Sequence, residues 1–182
     1  MRTAYIGLGG NLPGPAGPPP ATFAAALAPL AALGQICARS PLYSTAPVGI
    51  PDQPRFFNAV VALQTSLAPR VLLHRLLAIE KAHGRDRSRS TPNGPRTLDL
   101  DLLLLGDLCL SESGLELPHP RLAQRAFVLV PLAQVAPNLV DPRSRRTIAQ
   151  LLSELLELEP SQADAVSRID SELWSPLATI NS

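Results

Sequence analysis

Apolar and polar positions along the chain follow two periods, and the change from one to the other marks out the elements. Residues 97–105 are apolar or β-branched everywhere except at Asp99 and Asp101, and Gly106 closes the run. The run is too short and too leucine-rich for a surface helix, so it predicts a strand buried along most of its length. Residues 3–8, 36–43 and 56–65 predict three more strands. The last of these sets Phe57, Ala59, Val61 and Leu63 on one face and begins the other with Phe56 and Asn58. Short apolar runs at 108–110 and 115–117, around a turn, predict a hairpin. Helices are predicted at 22–33, broken or kinked by Pro29, and from Ala68-Pro69 to Gly84. In the second, Leu73, Leu76, Leu77 and Glu80 share a stripe; the Glu80 carboxylate either faces inward or stays solvated. Residues 125–136 and 147–158 predict two further helices, and the polar stretch beyond Pro160, with a lone Trp174, predicts a loosely docked tail. The expected organisation is a domain over 1–158 and a tail over 159–182.

A length of 182 residues suits one domain with a sizeable core. A net charge of +1 argues against general attraction to polyanions or membrane surfaces. The charge is unevenly spread, however. Arg85, Arg87, Arg89 and Arg96 crowd the approach to the acidic strand, with Asp86 opposing them, and Lys81 is the sole lysine. The basic chemistry is therefore guanidinium chemistry, suited to bidentate phosphate contacts. Like-charge repulsion and the lack of a large apolar anchor predict that residues 85–93 are mobile until an anion draws them closed. Cys37 and Cys109 lack metal-ligand spacing and are expected to be reduced. No stretch reaches membrane-spanning length, so a cytoplasmic location is expected.

Residues two apart in a strand point the same way, so Asp99 and Asp101 lie side by side with Cα atoms about 6.5–7 Å apart. Two ionised carboxylates on one face of an apolar strand need compensation, most simply a divalent metal shared with a phosphate. The alternative is an edge strand with two solvated carboxylates. The glycines of Gly7-Leu8-Gly9-Gly10-Asn11 fit either an anion-approaching turn or a plain tight one. His119, pinned between Pro118 and Pro120, suits a ligand contact. No P-loop, nucleophile-elbow or zinc-protease motif occurs. Paired carboxylates, an arginine-rich loop and a pinned histidine together favour a metal–nucleotide site.

These same residues carry a family resemblance. Gly94-Pro95-Arg96-Thr97-Leu98-Asp99-Leu100-Asp101 closely resembles the signature of the 6-hydroxymethyl-7,8-dihydropterin pyrophosphokinases. Residues 4–11, Tyr43-Ser44-Thr45-Ala46-Pro47, Phe56-Phe57-Asn58, residues 84–87, Pro118-His119 and Arg125-Ala126-Phe127 resemble it too, in one order from about residue 3 to about residue 152. The resemblance implies a ferredoxin-like α+β sandwich and transfer of pyrophosphate from ATP to the hydroxymethyl pterin, a step toward folate. It implies that Asp99 and Asp101 bind two magnesium ions, with Arg85 and Arg96 joining them in catalysis. Glu80, Arg87, Leu102, His119 and Arg125 would contact ATP. Thr45, Ala46, Val48 and Asn58 would hold the pterin, and Phe56 and Phe127 would stack on it. Nucleic-acid and membrane partners are not expected, and the protein is expected to be a monomer. Pro92 stands where many members carry Arg, so Arg87 or Arg89 is expected to take over that contact. Ala46 replaces a usual Pro. Two rivals remain. A nucleotidyltransferase of the polymerase-beta kind would need a third carboxylate on a neighbouring strand; an RNA-binding module would need strand aromatics amid general positive charge.

Overall fold

Phe56–Thr65 forms the longest strand, β4, and the sheet is assembled around it in the computed structural model, which describes residues 1–47, 49–50, 52–88, 91 and 93–177. Before it come β1 (Arg2–Gly10), α1 (Pro19–Ala31), β2 (Gln35–Arg39) and β3 (Leu42–Thr45); after it come α2 (Pro69–Ala82) and β5 (Asp99–Leu105). A hairpin of β6 (Leu110–Glu112) and β7 (Leu115–Leu117) follows, then a single helical turn at Leu122–Gln124. Helices α3 (Ala126–Val135), α4 (Ile148–Leu158) and α5 (Ser161–Asp164) and strand β8 (Val166–Ile169) come last.

The main sheet runs β5-β1-β4-β3-β8, with β2 also on β4. Every pairing is antiparallel. β4 is long enough to pair with β3 through its first half, Tyr43 opposite Asn58, and with β2 through its second, Ile36 opposite Leu63. Taking β2 and β3 as one interrupted strand, the chain traces β-α-β-β-α-β with the strand order of a ferredoxin-like sandwich, as expected.

Alternation along the strands sorts the core into two layers. Ile6, Leu8, Ala59, Val61 and Leu63 pack under α1 and α2 with Phe23, Leu30, Leu72 and Leu76. Tyr5, Val60 and Ala62 face α3 and α4 with Leu129, Leu132, Ile148 and Leu151. Pro69 starts α2, and Gly84, at φ +88°, lets the chain leave it. Thr147 and Gln150 close a reciprocal capping box at α4.

Four expectations are corrected. Residues 36–43 are two strands, because Pro41 lacks the N–H that would continue the ladder. The hairpin begins at Leu110 rather than 108. The buried stripe of α2 is Leu72, Leu76, Ile79 and Glu80, with Leu73 and Leu77 half-buried beside it. Of the stretch beyond Pro160, the described residues 161–177 are docked on the domain. β8 pairs with β3, and Trp174 is buried edge-on to Phe23, donating its indole N–H to Ser40 O at 2.9 Å. A single large aromatic with one polar handle thus anchors an otherwise polar segment.

Candidate active site

The register carries one row of residues across the sheet: Asp99 opposite Gly9, Gly9 opposite Asn58, Asn58 opposite Tyr43. The next row sets Asp101 opposite Gly7 and Gly7 opposite Val60. Both carboxylates lie on the face covered by α3, and the two glycines leave the floor between them and Asn58 free of side chains. A Cβ at Gly9 would already meet Asn58 Oδ1 at 3.4 Å. At Gly10 it would lie 2.5 Å from Thr97 O, so β1 can approach the next segment only without a side chain. There Asn11 and Leu12 N–H donate to Arg96 O at 2.8 and 3.0 Å, and Arg96 N–H donates to Asn11 Oδ1 at 2.9 Å. The glycine stretch is therefore neither of the turns considered for it. It is the end of a strand that clamps the backbone of Arg96.

β5 lies at the edge of the sheet, but its carboxylates are not solvated. His119 N–H caps its open side at Leu103 O, 2.8 Å, and the Asp99 side chain is only 17% exposed. Three guanidinium groups surround Asp99: Arg96 Nε at 3.0 Å, Arg87 at 3.4 Å and Arg85 at 3.8 Å. Arg85 and Arg87 are thus drawn inward by carboxylates, contrary to the expected mutual repulsion. Arg89, Ser90 and Pro92 of that loop lie outside the described residues.

Glu80 is fully buried. Its Oε1 accepts Leu100 N–H at 2.7 Å and Arg87 at 2.8 Å, and its Oε2 accepts Arg87 Nε at 2.9 Å. Burial pushes its pKa up to about 7; the Leu100 N–H and Arg87 oppose the rise and Asp99 adds to it. A folded-state value above the unfolded one means that protonation favours folding. That stabilisation is complete below about 4.3, the unfolded value, and is lost as pH rises through about 7. Urea unfolding from about pH 5 to about pH 8 should therefore show wild-type stability falling relative to Glu80→Gln, which has no such group to titrate. Identical pH slopes in the two proteins would contradict this.

Burial, and then Asp99, raise the pKa of Asp101, against His119, Arg125 and Arg96. Burial lowers that of His119, helped by Arg125 and Arg121 and opposed by Asp101, which favours the neutral imidazole. Burial also lowers the pKa of Arg85 and Arg125. The buried Nε of Arg85 makes no hydrogen bond among the described residues, and that of Arg96, though 3.0 Å from Asp99, is ion-paired with it without hydrogen-bond alignment. Donors without acceptors beside a carboxylate whose charge is disfavoured match a metal-bound polyphosphate, which brings both an anion and a cation. No group of three or more metal-ligating side chains occurs among the described residues. Two carboxylates alone suit magnesium, which keeps waters and takes substrate phosphates as ligands.

Beside this cluster opens a cavity of about 420 Å³ whose lining includes Thr45, Ala46, Phe56, Asn58 and Phe127. Asn58 Nδ2 donates to Thr45 Oγ1 at 2.8 Å. The guanidinium of Arg96 lies 4.7 Å over the Phe56 ring, and that of Arg125 lies 5.3 Å from the Phe127 ring. The fold thus gathers every described residue expected to hold a pterin; Val48 lies outside the described residues. It does not gather Leu102, whose side chain is buried in the α1/α2 core on the opposite face of β5. Sequence reasoning missed Arg121, Gln124, Glu159, Gln162, Ala165 and Val166, which also line the cavity. No local pattern announces the last of these, since Val166 and Ile169 lie three residues apart rather than at the two-residue period of a strand.

A ferredoxin-like sheet bearing paired carboxylates among guanidinium groups, open to an aromatic-walled cavity, is suited to phosphoryl-group transfer without a P-loop. The chain belongs to the 7,8-dihydro-6-hydroxymethylpterin-pyrophosphokinase (HPPK) family, whose model matches residues 5–137. The 2-amino-4-hydroxy-6-hydroxymethyldihydropteridine pyrophosphokinase of Synechocystis sp. is 46% identical over 84% of this chain and 75% of its own. The Pseudomonas aeruginosa enzyme of the same name is 44% identical over 88% and 93%. Among solved structures, Plasmodium falciparum HPPK-DHPS wild type superposes with a TM-score of 0.71 at 14% identity, a likeness of fold alone. The match covers 92% of this chain but only 48% of that one. Neither rival reading is supported: the strand positions facing the Asp pair hold Gly7, Gly9 and Asn58 instead of a third carboxylate, and Asp99 and Asp101 at the centre of the arginine cluster would repel a nucleic-acid backbone.

Proposed function

We propose that this chain transfers the terminal diphosphate of ATP to 6-hydroxymethyl-7,8-dihydropterin, giving AMP and the pterin diphosphate in folate biosynthesis. The observation that carries this is continuity. Arg96, Arg125, Phe127 and Asn58 line both the large cavity and the recess holding Asp99 and Asp101. A flat heterocycle in the cavity therefore presents its hydroxymethyl group to the carboxylates. The hydroxyl oxygen attacks the β-phosphorus, the bond from that phosphorus to the oxygen bridging it to the α-phosphate breaks, AMP leaves, and the hydroxyl proton is released.

Asp99 and Asp101 would hold magnesium, two ions by family resemblance, and that magnesium when bound would neutralise charge on the transferred group. Arg85, Arg96, His119 and Arg125 contact the triphosphate. Glu80 serves the nucleotide side by fixing Arg87 and the Leu100 backbone, and Leu102 contributes through its backbone. Thr45 and Asn58 hydrogen-bond the pterin edge, Ala46 lies against it, and Phe56 and Phe127 stack on its faces. One chain carries every group named, so the monomer suffices. No helix among the described residues is long and apolar enough to cross a membrane, and we place the reaction in the cytoplasm.

ATP consumption should require the pterin and stop with EDTA; consumption at the same rate without pterin would overturn the proposal. Phe56→Ala or Phe127→Ala should weaken pterin binding by about 1–3 kcal/mol, through lost stacking and burial, and barely change ATP affinity. Calorimetry showing equal losses for both ligands would move the rings out of the pterin site.

A further inference from the structure

The wall of the cavity opposite the family motifs is built by the segment after α4, beyond residue 137 where the family match ends. Glu159, Gln162, Ala165 and Val166 line it. At one end the segment is tied to the proposed pterin-contact strand: Val166 pairs with Thr45, and Ala46 N–H donates to Ala165 O at 3.3 Å. At the other end it is tied to α3. That helix has no side-chain cap from its own N-cap residue, Arg125. The N–H of its first residue, Ala126, instead donates to Gln162 Oε1 at 2.9 Å. The Gln162 amide is oriented in turn by donating from Nε2 to Glu159 Oε2 at 2.7 Å, with Gln124 O at 3.5 Å. Ala126 stands between Arg125, proposed for the triphosphate, and Phe127, proposed for the pterin.

We propose that residues 159–166 act as a strap that sets the separation of the two pterin-contact walls, with Gln162 as a positioning residue for Phe127. The proposal rests on the pterin reading of the cavity. A helix start held from a distant segment loses its preferred position when that acceptor is removed, because its first N–H must then find water. The consequence falls on Phe127 and therefore on the heterocycle. The magnesium-bound phosphates are held mainly from β5 and from Arg85 and Arg96, whose ion pairs among the described residues run to Asp99 and not to the strap.

The test uses the full chain with three changes: Gln162→Ala, Gln162→Met, which fills similar space without the amide, and the exchanged pair Glu159→Gln/Gln162→Glu. In the exchanged pair the carboxylate at 162 accepts Ala126 N–H and the amide at 159 donates to it, so both bonds survive with their positions reversed. Gln162→Ala and Gln162→Met should raise the KM and Kd for the pterin about 5-fold or more, leave the KM for ATP within about 2-fold, and change kcat less than KM. The exchanged pair should return the pterin Kd to within about 2-fold of wild type. The methionine variant decides the matter if the alanine variant does not fold. Unchanged pterin affinity in the single variants would overturn the strap. So would parallel loss of ATP and pterin affinity that the exchanged pair fails to restore, since that pattern marks a merely structural glutamine. A wild-type protein that does not bind the pterin at all would overturn the pterin reading itself, and the strap with it.

Discussion

Asp101→Asn is expected to abolish turnover, by about 10³-fold or more, while leaving the metal-free protein at least as stable as the wild type. The size of the loss follows from removing one of two metal ligands. Metal stabilisation of developing charge is worth several kcal/mol, at about 1.4 kcal/mol per tenfold in rate. The stability expectation follows from position. Asp101 is buried beside a second carboxylate, and both factors disfavour its charge, with His119, Arg125 and Arg96 giving only partial relief. An amide of the same shape removes that conflict. Asp99 differs. Asp99→Ala should be equally inactive, but it leaves Arg85, Arg87 and Arg96 without the carboxylate they share, so the metal-free protein should melt at a lower temperature. Thermal melts in EDTA separate the two. A severe loss of stability in metal-free Asp101→Asn would make that residue structural and remove it from the site.

Arg96→Ala is expected to cost about 10²–10³-fold in kcat/KM, because one guanidinium serves three partners and the phosphate donors it supplies act in a desolvated site. It lies over Phe56, donates to Gly94 O at 3.1 Å, and is ion-paired through its buried Nε with Asp99 at 3.0 Å. Its backbone is locked by Asn11 on both sides, so its direction is set before any ligand arrives. Arg96→Lys should recover little, since an ammonium has neither the planar face for Phe56 nor the fork for bidentate phosphate contact. Steady-state kinetics at saturating magnesium measures the effect. Full recovery by lysine would show that charge alone matters and that stacking geometry does not.

What the sequence disclosed was what repeats with a fixed period or depends on few residues. Alternation in residues 56–65 placed Phe56 and Asn58 on one face, and the two-residue spacing placed Asp99 beside Asp101; both hold because strand geometry leaves no other choice. The helix limits at Pro69 and Gly84 were legible for the same local reason. What depended on pairing across the chain was hidden. Glu80 falls on the core-facing stripe of its helix, but whether it turns inward depends on Leu100 N–H and Arg87, 20 and 7 residues away. Repulsion among the arginines of residues 85–93 is the local expectation because the carboxylates that Arg85 and Arg87 meet, Glu80 and Asp99, lie on other elements. Trp174 and Gln162 act at separations of 134 and 36 residues, through one hydrogen bond each to Ser40 and Ala126, and no local pattern announces such bonds.

The central claim is that the carboxylate pair and its arginines direct attack on the β-phosphorus of ATP by the hydroxyl of a pterin held between Phe56 and Phe127. Phosphorus NMR of a reaction containing the protein, magnesium, ATP and 6-hydroxymethyl-7,8-dihydropterin tests it most directly. The expected spectrum gains AMP and a pterin-bound diphosphate, two mutually coupled phosphorus signals, in equal amounts. ADP with a pterin monophosphate would place the attack on the γ-phosphorus and contradict the account.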